Sequence, residues 1–245
     1  MNWLQGGWRL ARALGLGIAG WATIVFVFPR LDVAQRQARV QSWARRMLGV
    51  LGISVVVRGE APTHGPLLLV ANHISWLDIL VMHAAHHCRF VSKADVKAWP
   101  LIGALATGGG TLYIERESRR DAMRVVHRMA ASLRAGDILA VFPEGTTSDG
   151  VSLLPFHGNL IQAAISADAP VQPVALRFID VATGRTSLTA CYIDDDTLVG
   201  SLWRTVSGPP LTAIVRYGEP QNAQGRGRRA WAQDLRSAVE RLRQD

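Results

Sequence analysis

Cysteine is scarce in this chain, whose 245 residues include only Cys88 and Cys191. Neither belongs to a C-x-x-C pair, which argues against a disulfide framework and fits a reducing compartment. No G-x-S-x-G nucleophile elbow occurs, which weakens a serine-hydrolase reading. Acidic residues run short, 19 against 27 Lys and Arg, leaving a net charge of +8 and a pI near 10.6. Such a balance suits nucleic acid or an anionic membrane surface. The basic pairs Arg45-Arg46, Arg119-Arg120 and Arg228-Arg229 are scattered and lack interleaved aromatics, so nucleic acid finds little support as a partner. There is no internal repeat and no low-complexity tract; only QNAQGRGRRA, 221–230, reads as linker-like.

Apolar residues are plentiful, at 49%, and the mean hydropathy of +0.13 is high for a soluble domain. A chain of this length buries one substantial core, so a single α/β domain with extra helices is the expectation. The longest uncharged apolar run is ALGLGIAGWATIVFVF, Ala13 to Phe28, closed by Pro29-Arg30. It falls short of the roughly 20 residues needed to span a bilayer. Leu10 and Ala11 extend it across Arg12, because an arginine near a helix end can snorkel. Trp3, Trp8 and Trp21 suit an interfacial belt. A signal peptide would need a small-x-small cleavage site, and Pro-Arg follows instead. The run reads as a membrane anchor, spanning or half-embedded.

Inside it, GLGIAG (Gly15 to Gly20) matches the dinucleotide fingerprint letter for letter. That reading requires a preceding strand and an acidic residue about 20 positions on. WRLARAL precedes it and Asp32 comes too early, so small residues for close helix packing in a membrane explain the glycines better. Asp32 to Leu51 reads as a second, basic amphipathic helix. Its apolar line is Val33, Val40, Trp43, Met47, Leu48 and Leu51, with Arg36, Arg39 and Arg45 between. It suits a membrane surface, or a helix packed on the domain with a solvated basic face. Residues 1–51 are thus expected as membrane-anchoring helices and 52–245 as an α/β domain.

In that domain SVVVRG, PLLLVA, CRFVSK, TLYIE, ILAVF, VQPVALRF, LTACYI and LTAIVRYG read as strands. WLDILVMHAAHH, RDAMRVVHRMAASLRAG and GNLIQAAISA read as helices, the second stopping at Gly136. Trp231, Leu235, Val239 and Leu242 mark a closing amphipathic helix. Near-continuous apolar strands alternating with helices predict a mixed, largely parallel sheet covered on both faces.

In such sheets chemistry gathers beyond the carboxyl ends of strands. ANHISWLD follows one strand, with Asn72 placed to cap the next helix. His73 and Asp78 lie about 140° apart on an ideal helix. They meet only if a turn precedes the regular helix; the carboxylate then fixes the imidazole tautomer and leaves the other nitrogen as a base. IERES follows a second strand, and Arg116 there is able to clasp phosphate bidentately or to pair with Glu115 or Glu117. FPEGTTSDG follows a third. It offers Glu144, amides around Gly145 and the hydroxyls of Thr146, Thr147 and Ser148, as an anion-binding loop or a plain turn. In HAAHHC, His83 and His87 stand at metal-ligand spacing, but no carboxylate or second cysteine completes a set.

Together these clusters resemble the glycerolipid acyltransferase family, which includes the 1-acylglycerol-3-phosphate acyltransferases. NHISWLD is similar to its N-H-x-x-x-x-D motif, YIER to its arginine-bearing turn, FPEGT to its third motif and VQPV to its proline-bearing strand, in order, over about Leu67 to Phe178. The N-terminal helices also look like those of bacterial members. The resemblance implies His73 as general base on a lysolipid hydroxyl and Asp78 as its orienting partner, with Asn72 and Ser75 as supports. Arg116, Glu144, Gly145, Thr146 and Thr147 would hold the acceptor. It implies acyl-CoA or acyl carrier protein as donor substrate, no cofactor and no metal. It also implies a bacterial inner membrane with the catalytic domain on the cytoplasmic side. The product expected first is phosphatidic acid, from lysophosphatidic acid. One departure bears on that acceptor: Thr147 stands where the family commonly has arginine. Acyltransferases that finish ornithine lipids resemble this chain in reading FPEGTTSDG, and an aminoacyl acceptor needs less phosphate clasp.

Overall fold

A computed structural model describes residues 3–114 and 119–244, with side chains of 119–122 left aside. In chain order come helices α1 (Trp3–Ala22) and α2 (Val33–Leu51), strands β1 (Ile53–Arg58) and β2 (Leu67–Ala71), α3 (Leu77–Ala85) and β3 (Arg89–Lys93). Then follow α4 (Ile102–Gly108), β4 (Leu112–Ile114), α5 (Arg119–Arg134), β5 (Ile138–Val141), α6 (Gln162–Ala167) and β6 (Val171–Asp180). The chain closes with α7 (Leu198–Ser207), β7 (Leu211–Tyr217) and α8 (Arg228–Gln244).

The seven strands form one sheet in the order β1-β7-β6-β2-β5-β3-β4. All neighbours pair in parallel except β6 and β7. β2 lies at the centre, and every residue of LLLVA is buried. Leu67, Leu69 and Ala71 face a core shared with α2 and α3, whereas Leu68 and Val70 face one shared with α5, α6 and α8. Burial on both faces is why the strand reads as an unbroken apolar run rather than an alternating one.

Four sequence expectations change. LTACYI is not a strand: Leu188–Ala190 is a short 3-10 turn, and the stretch after it runs over the site. Arg204 holds it there, donating to the carbonyls of Thr189 and Cys191 and to the Asp196 carboxylate. Two helices join those expected, α4 and α7; α4 is only seven residues long and holds two glycines, which hide its period. QNAQGRGRRA is no linker, since Gln221 exchanges two backbone hydrogen bonds of 2.8 Å with Val171 and α8 begins inside the stretch.

The fourth concerns the N-terminus. α2 starts in a capping box between Asp32 and Gln35, and its Ala44, Met47, Leu48 and Leu51 join the core beneath α3. The core therefore runs across residue 51, and the packed alternative describes this half of α2. α1 turns Gly6, Ala13, Gly17 and Gly20 inward. A Cβ on Gly20 would lie 2.6 Å from Trp43 Nε1, and one on Gly6 3.1 Å from Ser207 Cβ. The small residues do permit close packing, but the partners are this chain's own α2, α4 and α7. The opposite face of α1 leaves Trp3, Leu4, Trp8, Leu14, Ile18 and Trp21 exposed. With a wider-wound turn at Thr23–Val27 and a tighter one at Phe28–Arg30 continuing it, the helix runs from Trp3 to Arg30, 28 residues, long and apolar enough to cross a membrane.

Candidate active site

Parallel pairing brings two of the three clusters together. Val70 lies opposite Val141, so the residues just past each strand end, His73 and Glu144, fall side by side. The loop after β2 then needs a turn before α3, which starts only at Leu77. That turn swings His73 and Asp78 to one side, with Nδ1 2.8 Å from Asp78 Oδ2. The same oxygen accepts the backbone N–H of Ile74 at 2.6 Å and of Ser75 at 2.9 Å. Asp78 is fully buried while the His73 side chain keeps 20% of its surface. Held through Nδ1, the ring presents Nε2 as the free nitrogen. Its face stacks on Phe142, centroids 4.0 Å apart and planes within 7°.

Asn72 does not cap α3. Its amide donates to the Leu176 carbonyl (3.1 Å) and accepts from the Leu176 N–H (2.8 Å), clipping β2 to β6. A buried side chain this close to the sheet finds the neighbouring strand's backbone before the helix end. The N-cap of α3 is Trp76, which makes no side-chain cap bond, and the Leu77 N–H donates instead to Ser75 Oγ at 3.3 Å.

The loop after β5 is mostly committed inward. Glu144, 3% exposed, accepts the His73 N–H at 2.7 Å on Oε1 and the Leu154 N–H at 3.0 Å on Oε2. Burial pushes its carboxyl up from the ordinary range, while those two amides and the charges of His73 and Arg243 pull it down. Ser148 closes the clamp, its N–H and hydroxyl both donating to the His73 carbonyl, at 2.8 and 3.1 Å. Gly145 sits at φ +76°, a left-handed conformation that favours glycine. Its N–H donates to the Phe142 carbonyl. Thr146 is exposed. Thr147 donates its hydroxyl to the Tyr192 carbonyl, and the Tyr192 N–H donates to Ile74 at 3.1 Å. Tyr192 thereby joins the site, with no motif to announce it. Arg116 lies outside the described residues.

His83 and His87 lie ring to ring, 5.2 Å between centroids. Burial drives the His83 ring down to about 3, so it stays neutral. Among the described residues no group of three or more His, Cys, Asp or Glu is placed to hold a metal ion.

A hydrogen-bonded His–Asp pair at the carboxyl end of a central strand is equipped to take a proton from a hydroxyl. The family model named Acyltransferase matches residues 53–177, which include the His73–Asp78 pair and the whole clamp around it. The chain belongs to the Acyltransferase family. A relative from Pseudomonas aeruginosa, named lyso-ornithine lipid O-acyltransferase, is 41% identical over 93% of this chain and 87% of its own. A 1-acyl-sn-glycerol-3-phosphate acyltransferase of Neisseria meningitidis is 39% identical over 74% of this chain and 71% of its own. The crystal structure of the LPA acyltransferase PlsC from Thermotoga maritima covers 96% of both chains with a TM-score of 0.69. At 21% identity it speaks for the fold. In this acyltransferase the mixed, largely parallel sheet covered by helices and the apolar N-terminal helix are those expected from the sequence.

Proposed function

We propose that this acyltransferase moves an acyl chain from a thioester, on coenzyme A or acyl carrier protein, to the free hydroxyl of a lysolipid. The observation that carries it is the His73–Asp78 pair, with Nε2 free beside the exposed rim of the Phe142–Gly150 loop. Nε2 takes the hydroxyl proton as the oxygen attacks the thioester carbonyl. The imidazolium is stabilised by Asp78. Collapse of the tetrahedral intermediate breaks the carbon–sulfur bond, and the proton passes from His73 to the departing thiolate.

As acceptor we favour lyso-ornithine lipid. Thr147 brings no charge to the loop, its hydroxyl is already given to Tyr192, and the P. aeruginosa relative aligns over nearly the whole chain. Lysophosphatidic acid, expected first from the motifs, is the second reading; the N. meningitidis relative favours it. The exposed apolar face of α1 seats in lipid, where both acyl chains already reside. We place the domain on the cytoplasmic side of a bacterial inner membrane, where acyl thioesters are made.

The test offers acyl-CoA with each lysolipid in turn to membrane fractions and identifies products by mass spectrometry. Ornithine lipid as the main product supports the reading. Phosphatidic acid as the main product replaces the acceptor and keeps the reaction, whereas release of free fatty acid without an acceptor removes the transferase.

A further inference from the structure

Glu144 stands where a ligand-binding carboxylate is expected, yet it is almost wholly buried and both of its oxygens already accept backbone N–H groups of this chain. Oε1 is taken by the His73 N–H and Oε2 by the Leu154 N–H. Among the described residues, the hydrogen bonds and ring contact that fix His73, apart from Asp78, come from this one loop: Glu144 on its N–H, Ser148 on its carbonyl, Phe142 on its ring face. A loop that aims a ring must itself be anchored at its far end.

The anchor is α8, more than eighty residues away in sequence. Arg243 donates through Nη2 to the carbonyls of Gly150 and Val151, the latter at 3.0 Å. Arg236 donates through Nε to the Leu154 carbonyl at 3.1 Å and through Nη2 to that of Leu153. Arg243 is only 8% exposed. Its own carbonyl accepts from Arg177 at 3.0 Å, and Nη1 pairs with Glu240 at 3.0 Å. The two guanidinium forks thus hold four consecutive-to-near carbonyls of one segment, a task that suits a planar, multi-donor cation. The segment they hold supplies the Leu154 N–H to Glu144. The positive charge of Arg243 also favours the ionised carboxylate, the form that can accept two hydrogen bonds at once.

We infer that Glu144 is a positioning residue for His73, braced from behind by Arg243 and Arg236 of α8, and that it takes no part in holding the acceptor. This rests on His73 as the general base. A ring displaced by a fraction of an ångström costs turnover far more than binding, so the signature is a split between kcat and the acceptor KM.

The experiment measures both constants for the full-length membrane-bound protein, with acyl-CoA and lyso-ornithine lipid in mixed vesicles. Glu144→Gln presents an NH2 group to one of the two N–H donors, and kcat should fall about 10- to 100-fold while KM moves less than about twofold. Arg243→Lys keeps the charge without the fork and should show the same split at about 3- to 10-fold. A raised KM with kcat preserved in Glu144→Gln would overturn the inference, as would full activity in both variants. If Glu144→Gln does not fold, Arg243→Lys decides on the same criterion. Activity retained in His73→Ala removes the base and this inference with it. An inactive His73→Ala beside a Glu144→Gln altered only in KM removes the positioning role alone.

Discussion

The loops that follow β2 and β5 leave neighbouring strands in register, and they divide the work of the site unequally. The first is short, Asn72 to Trp76, and carries the His73 ring. The second, Phe142 to Leu154, is more than twice as long, yet its two buried polar side chains, Glu144 and Ser148, are turned toward the first. One loop carries the base we propose and the other holds that loop. The difference teaches that in this site the residue types of a motif do not reveal their direction. A glutamate and a serine in the longer loop serve backbone atoms, whereas Gly145 and Thr146 form the exposed rim with the half-buried Thr147 beside them.

The sharpest way to break the comparison is to remove the ring. His73→Ala should lower acyl transfer about 10³-fold or more, within the range for a lost general base, in an assay of the purified, folded protein. Asp78→Asn should follow at about 10²-fold. The asparagine oxygen can replace only part of an acceptor that serves three N–H groups on one oxygen, and the remaining activity should depend on pH differently. Changing the rim should alter choice rather than rate. Thr147→Arg frees the Tyr192 carbonyl and adds a cation, and it should move the preference between lysophosphatidic acid and lyso-ornithine lipid about tenfold toward the phosphate; product ratios from a mixed pool measure it.

Smaller effects lie outside the two loops. Gly20→Val should lower stability by about 1–3 kcal/mol through overpacking against Trp43, read as a drop in Tm, with the site unchanged. The Asp196–Arg204 pair, which pins the 191–196 segment beside Thr147, should hold well below the ordinary carboxylate range. Its hydrogen bonds to Arg204 hold the Asp196 carboxyl down to about 2, below the ordinary 3.8. The pair's contribution is therefore complete above about pH 4 and is lost as pH falls through about 2. Amide exchange of Tyr192 should lose protection only in that interval.

Much of this was legible in order along the chain, because parallel strands and their helices are local patterns and the chemistry sits at strand ends. The His73–Asp78 pair was legible as a condition, a turn before α3, that helical geometry itself imposed. What stayed hidden is long-range. Nothing near Asn72 says that Leu176 will compete for its amide, and nothing near Arg243 says that its partners are the carbonyls of Gly150 and Val151. α1 was readable as apolar and glycine-bearing, but whether its small face meets lipid-embedded helices or its own domain depends on α2, α4 and α7. LTACYI has a strand's composition, and an arginine in the following helix claims its carbonyls first.

The pairing of Val70 with Val141 has one more consequence. Side chains alternate between the faces of a sheet, so a slip of one residue would carry His73 and Glu144 away from each other and turn the slipped strand's side chains to the opposite face. A chain zipped in the wrong frame would still look folded by its helix content, yet it would be silent in an assay. Turnover in this protein is thus a proofreading signal: the only molecules that report are those whose two central strands found the right frame.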